Sequence, residues 1–276
     1  MTHPAIGPGR AAVITGAASG IGLAAAQRLA ALGMAVCMAD IDAPALEREA
    51  ALLAATGADV LAVPTDVADA DQVARLRDQA IARWGQVGLL INNAGREGGG
   101  ALSGSPERWR ATLDTNLWGV IHGVQAFMPA MLAAGAPAAI VNTGSKQGIT
   151  TPPGDTAYNV SKAGIKVVTE ALAHDLLDTP VTAHLLIPGF TFTGFTRVRT
   201  DVKPPGAWTP EQVVDFMLDG MDRGDFYILC PDNDTTRAQD ERRMRWAADD
   251  VIKNRPALSR WHPDHATEFQ EYMRSP

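Results

Sequence analysis

Cysteine is scarce in this chain, with only Cys37 and Cys230 among 276 residues. Each lies in an apolar run, and neither has metal-ligand spacing. This excludes a disulfide framework and a thiolate metal site, and predicts buried, reduced thiols in a cytoplasmic protein. Basic charge is also short: 24 Lys and Arg stand against 31 Asp and Glu, a formal charge of −7 with pI near 5.3. Nucleic acid and anionic membrane are therefore not expected as partners, since either wants a basic face. Long apolar runs are missing too. The longest are broken by Gly, Pro or charge short of a membrane span, and residues 1–10 are polar, with no apolar core of a signal peptide. The six histidines (His3, His122, His174, His184, His262 and His265) form no ligand cluster, so no metal is expected. What is present is a hydrophobic content of 46%, enough for a substantial core in a soluble globular chain.

Short apolar segments alternate with helical patterns. Strand-like runs fall at 11–15, 35–39, 60–63, 87–91, 138–142 and 181–187. Helical patterns fall at 20–32, 44–55, 69–84, 106–132 (bent near Gly119 and Gly123) and 155–177. Alternation of this kind implies right-handed crossovers and an α/β fold: a doubly wound parallel sheet of Rossmann type, helices on both faces. One domain is expected over 1–276, with a short tail at 1–10. After 187 the pattern loosens. Residues 189–224 contain Pro204-Pro205 and then a helix opened by Thr209-Pro210, and read as a substrate-loop region. A last strand at 225–230 precedes a charge-laced extension at 232–276, helical over 237–254. The extension is expected to pack on its own subunit, with a lid over the site or an arm onto a partner subunit as alternatives.

Two local patterns carry chemistry. Residues 15–22, Thr-Gly-Ala-Ala-Ser-Gly-Ile-Gly, join the first strand to the first helix. Gly16, Gly20 and Gly22, with Ser19 and Ile21 between them, suit a tight turn that lets backbone approach a pyrophosphate at a helix N-terminus. Asp40 ends the second strand, eighteen residues past Gly22, where a carboxylate accepts from adenosine ribose hydroxyls and repels a 2′-phosphate. Neither Ser19 nor Ile41 supplies the cation a 2′-phosphate needs. The cofactor expected is NAD(H), preferred over NADP(H); capping of the next helix is the alternative role for Asp40, although Asp42 can serve there. The second pattern is Tyr158 and Lys162, four residues apart on one helical face. A cation held near a phenol lowers its pKa from about 10 and suits it to proton exchange.

Together with Asp66-Val67, the run 92–95 (Asn-Asn-Ala-Gly), Asn116, Ser145 and Pro188-Gly189, these motifs stand in the order of the short-chain dehydrogenase/reductase family, which the chain resembles over roughly residues 11–231. The resemblance implies Tyr158 as general acid/base, Lys162 as its electrostatic partner and ribose contact, Ser145 as hydrogen-bond donor to the substrate oxygen, and Asn116 as holder of a water near Lys162. It implies contacts to the dinucleotide from Asp66, Val67, Asn93, Ala94 and Gly95, and from Pro188, Gly189 and either Thr191 or Thr193. It further implies a homodimer or homotetramer formed through the helices of Asn116 and Tyr158. The activity implied is interconversion of a small or medium secondary alcohol and a ketone or aldehyde. A non-catalytic dinucleotide-binding sensor, or a dehydratase or epimerase of the same family, is the alternative. The chain departs from the family at Lys146 and Gln147, beside Ser145. With Arg96, in the glycine-rich loop 96–100, and Phe190 they are expected to meet the substrate, Lys146 through an anionic group unless it points to solvent.

Overall fold

The computed structural model describes residues 3–194, 202–231 and 235–274. Seven strands, β1 (Ala11–Thr15), β2 (Ala35–Asp40), β3 (Val60–Pro64), β4 (Leu89–Asn92), β5 (Ala138–Thr143), β6 (Val181–Ile187) and β7 (Tyr227–Leu229), form one sheet. Its order is β3-β2-β1-β4-β5-β6-β7, and every neighbouring pair is parallel. Strand order reverses between β1 and β4. A crevice at the carboxyl ends of the strands is therefore expected there.

The strands read as continuous apolar runs because both faces are covered. Side chains alternate across the sheet. Ala12, Ile14, Val36, Met38, Leu89 and Ile91 pack to one side with α1 (Gly20–Ala31), α2 (Ala43–Ala54) and α8 (Pro210–Arg223). Val13, Cys37, Ala39 and Leu90 pack to the other with α3 (Ala70–Trp84), α5 (Gly119–Ala134) and α7 (Thr156–Asp175). Caps follow the sequence signals: Asp42, Asp69 and Asp155 each accept from backbone N–H groups of the first turn, and Thr209 forms a capping box with Gln212.

The long helical stretch differs from expectation. It is α4 (Pro106–Leu113), a π turn at Asp114–Trp118, and α5. The irregularity ends at Trp118, beside Gly119. Gly119 and Gly123 are also close approaches: a Cβ on Gly119 would lie 2.7 Å from Val67 Cγ2, and one on Gly123 would lie 2.1 Å from Asn92 Oδ1. By length and composition the 29-residue run Pro106–Ala134 is also long and apolar enough to cross a membrane, contrary to the sequence reading. In the fold, its Val120, Val124, Phe127 and Met131 are buried against the sheet and α3.

Near the other end of the strands His3 and His184 stack edge to face, ring centroids 5.5 Å apart, with Thr182 Oγ1 between their Nε2 atoms at 3.3 and 3.0 Å. Burial and the charge of His184 depress His3 to about 4, against an opposing pull from Asp222; burial also lowers His184. The unfolded chain thus takes up protons that the folded one refuses between about pH 6.5 and 4. Stability contributed by the neutral pair is whole above that window and falls as pH drops through it. Thermal melts from pH 7 to 4 should show this loss, and His3→Gln should flatten the slope; an unchanged slope would remove His3 from the account.

Candidate functional site

The glycine loop following β1 delivers backbone to the crevice. A Cβ on Gly22 would sit 2.1 Å from the Gly16 carbonyl oxygen, and one on Gly16 would sit 2.9 Å from Ala94 Cα. Only glycine fits at either place. Gly16 and Gly20 also take positive φ, +68° and +55°. Ser19 is the N-cap of α1 by position, yet its side chain makes no cap bond. The first N–H groups of α1 therefore face the crevice as donors for an anionic group. At the end of β2, Asp40 accepts from Ala18 N and Asp42 N, both at 3.0 Å. It holds the glycine loop against its own strand and lines the crevice. Asp42, not Asp40, caps α2.

The turn after β4 locks onto this loop. Thr15 Oγ1 accepts from the backbone N of Asn93 and Ala94, and Asn93 Nδ2 donates to the Thr15 carbonyl at 3.1 Å. Asn92 faces inward instead, donating to Asn142 Oδ1, and Asn142 donates to Thr169 on α7. This buried chain ties the sheet to the helix of Tyr158.

A cleft of about 910 Å3 runs along these elements. Asp40, Ile41, Asp66 and Val67 line it beside Gly16, Ser19, Gly20 and Ile21. Asn93, Ala94, Gly95, Pro188, Gly189, Thr191 and Thr193 follow, and Ser145, Tyr158 and Lys162 line it with Arg96, Gln147 and Phe190. Gly22 is buried beneath the loop, and Asn116 lies wholly buried behind the wall. Lys146 does not line it. Thr15 and Asp155, which sequence reasoning did not single out, help build the site. Asp155 accepts from Gly98 N, Gly100 N and Tyr158 N at 2.8, 2.9 and 3.2 Å, clamping the glycine-rich rim to the start of α7. The signal for it was its place before an apolar-periodic run, where a cap belongs.

At the far end of the cleft from Asp40, Tyr158 leaves α7 half-buried, one face open to the cleft. The phenol does not show the lowering expected from Lys162. Burial pushes it up to about 12, the hydrogen bond with Ser145 pulls the other way, and the charges of Glu97 and Asp155 push it up further. Lys162 is itself desolvated and depressed to about 8; its Nζ donates to the Thr143 carbonyl at 2.8 Å and lies 5.6 Å from the Tyr158 ring centroid. Spacing on one helical face made the pair neighbours, but desolvation sets the direction of each shift. Asn116, in the π turn, bonds both the N and O of Arg96 (2.7 and 2.9 Å) and donates to Ser161 Oγ at 3.0 Å. π turns inside helices favour functional sites, and this one turns Asn116 toward the rim loop.

The expectation that Lys146 meets the substrate or solvent is corrected. Its Nζ pairs with Asp240 Oδ2 at 2.5 Å, both side chains largely buried. The partner comes from the C-terminal extension, whose composition gave no hint of this long-range contact.

The residues present fit a dinucleotide. Helix N–H donors, backbone approach that a single Cβ would close, and a carboxylate at the carboxyl end of β2, one strand from the switch in strand order, are features that such a group requires.

A family model described as short chain dehydrogenase matches residues 10–203. The 1-deoxy-11-beta-hydroxypentalenate dehydrogenase of Streptomyces exfoliatus is 35% identical over 264 residues, 94% of this chain and 96% of that protein. A crystal structure of a short chain dehydrogenase/reductase from Burkholderia phymatum in complex with NAD superposes with a TM-score of 0.83 at 35% identity, covering 92% of this chain and 97% of that one. A variant of actinorhodin polyketide ketoreductase, solved with NADPH, has a TM-score of 0.73 at 28% identity, over 80% of this chain and 96% of that one.

Proposed function

The chain belongs to the short-chain dehydrogenase family as an oxidoreductase interconverting alcohol and carbonyl, and we propose that it works with NAD(H) and uses Tyr158 as its general acid/base. The observation carrying the proposal is the convergence of Tyr158, Ser145 and Lys162 on one end of a cleft whose other end holds Asp40. Among the described residues, the only cationic side chains lining that cleft are Arg96 and Lys162, and Lys162 lies with Tyr158. Among the described residues, none of these cations accompanies Asp40 to receive a 2′-phosphate.

The dinucleotide, when bound, supplies the hydride acceptor or donor. The protein's own residues handle the oxygen. Ser145, which lines the cleft with Tyr158, polarises the substrate oxygen and stabilises charge that develops on it. Tyr158 moves the proton: with its phenol raised, the protonated form dominates at neutral pH and acts as acid toward a carbonyl. Lys162, held by Thr143, presents a cation to the phenol and to the ribose beside it. Asn116 and Asp155 hold the rim loop 96–100 against α7, keeping the reacting groups oriented.

The substrate is a secondary alcohol or its ketone. The name of the Streptomyces exfoliatus relative makes a hydroxylated carboxylate the first class to try. The exposed Trp118, Val160 and Val167, on the π turn and α7, support pairing of copies through these helices as a homodimer or homotetramer. Buried Cys37 and Cys230, neither in a disulfide, fit a reducing, cytoplasmic setting. The test is dinucleotide reduction by the purified protein across a panel of secondary alcohols. Turnover with at least one is expected, and tight dinucleotide binding without any turnover would favour the sensor.

A further inference from the structure

We propose that Asp240 of the C-terminal extension is a positioning residue for the Ser145 loop, acting through Lys146. The inference rests on the reading of Ser145 given above. Ser145 follows β5 in a segment that then forms α6 (Gln147–Thr150), a single turn of helix. That turn is anchored on Lys146, whose backbone N donates to the Pro188 carbonyl and whose O accepts from Ile149 N, Thr150 N and Thr150 Oγ1. Ser145 closes the same turn, its Oγ accepting from Gln147 N at 3.2 Å and its O from Gly148 N at 3.0 Å. Where Lys146 goes, the Ser145 hydroxyl follows.

Lys146 is held from outside the sheet. Helix α9 (Arg237–Ile252) packs on α6, and its Asp240 is 5% exposed. Asp240 receives Lys146 on one oxygen at 2.5 Å and Arg243, one helical turn on, faces the other at 3.6 Å. The helix that carries Asp240 is well anchored. Thr236 and Gln239 form a capping box at its start. Trp246 Nε1 donates to Ser259 Oγ at 2.7 Å, Arg255 lies 3.8 Å over the Trp246 ring, and Phe269 and Tyr272 of α10 (Ala266–Arg274) close on the same ring. Met244 packs into the core beside the sheet. The extension is therefore a braced arm of the same chain, with its buried Asp240 carboxylate aimed at the residue next to Ser145. A short, desolvated ion pair has little freedom to shift, and small misplacements of a reacting group cost rate steeply.

The test is a double-mutant cycle on the full-length protein. Asp240→Asn and Lys146→Met, singly and together, are assayed for kcat, for KM of the alcohol and for dinucleotide binding by fluorescence titration. Each single variant is expected to lose about tenfold or more in kcat while binding dinucleotide within about twofold of the parent. The double variant should lose no more than the worse single, and Asp240→Glu should recover most of the rate. Single variants within about twofold of the parent kcat, or a double loss equal to the product of the single losses, would overturn the proposal. If Asp240→Asn does not fold, Lys146→Arg against Lys146→Met decides: Arg keeps the pair and should keep the rate, whereas equal rates refute the positioning role. Ser145→Ala, run alongside, separates the two readings. Full activity there removes Ser145 from the chemistry; lost activity there with intact Asp240→Asn removes only the positioning role.

Discussion

Tyr158→Phe is expected to lower kcat by about 10²- to 10⁴-fold, the range associated with loss of a positioned general acid or base, while leaving dinucleotide affinity within about twofold. The substitution removes one oxygen and keeps the ring. The remaining contacts of the region do not pass through that oxygen: Lys162 still donates to Thr143, Asp155 still caps α7 through Tyr158 N, and Ser161 still receives Asn116. Folding and the cradle for the dinucleotide should therefore survive. Ser145 keeps its bonds to Gln147 N and Gly148 N and can still polarise a substrate oxygen, so a residual rate is expected above the uncatalysed one. Single-turnover kinetics beside a binding titration would check both halves of the expectation. Retention of full turnover would assign the proton to another group. The raised phenol also fixes a direction in pH. With Tyr158 up near 12, carbonyl reduction, which consumes the protonated form, should hold its rate through neutral pH. Alcohol oxidation, which needs the deprotonated form, should rise as pH climbs toward that value.

The second large effect concerns Asp40. The parent protein is expected to favour NAD over NADP in kcat/KM by about a hundredfold, because placing a 2′-phosphate against a carboxylate costs several kcal/mol. Asp40→Asn should cut that ratio by about tenfold or more. Asparagine is the informative choice, since Asp40 has a second job. Its two oxygens hold Ala18 N and Asp42 N, and alanine would loosen the glycine loop for both dinucleotides together. Asn keeps one acceptor and the size while deleting the charge. The ratio of the two kcat/KM values, rather than either alone, therefore reads the electrostatic part. A parent that prefers NADP would overturn the assignment of Asp40.

Features that depend on local pattern were legible from residues alone. The seven-stranded parallel sheet follows from apolar runs separated by helical periodicity, and the caps at Asp42, Asp69 and Thr209 follow from side-chain chemistry at helix starts. The glycine loop was legible because Gly16 and Gly22 stand where no side chain fits. Contacts between distant segments were not. Lys146 and Asp240 are ninety-four positions apart, and nothing in either neighbourhood specifies the other. The close approaches at Gly119 and Gly123 were not legible for the same reason: a glycine in a helix signals a bend or a close approach equally well until its neighbour is known. The direction of the Tyr158 shift was expected from charge alone, whereas burial of the phenol sets it, and burial is known only from the packed structure. Asn116 needed the π turn to be understood. Its carboxamide bonds a backbone N–H and a carbonyl of the rim loop, a fit that helical periodicity does not predict.

The central claim is hydride transfer between a secondary alcohol and NAD at the Tyr158 end of the cleft. Its most direct test is to incubate the protein with NAD and an alcohol deuterated at the carbinol carbon, then weigh the reduced dinucleotide by mass spectrometry. The account predicts one deuterium carried onto the dinucleotide, with ketone formed in equal amount. Loss of the alcohol with no deuterium on the dinucleotide, as in dehydration or epimerisation, would contradict it.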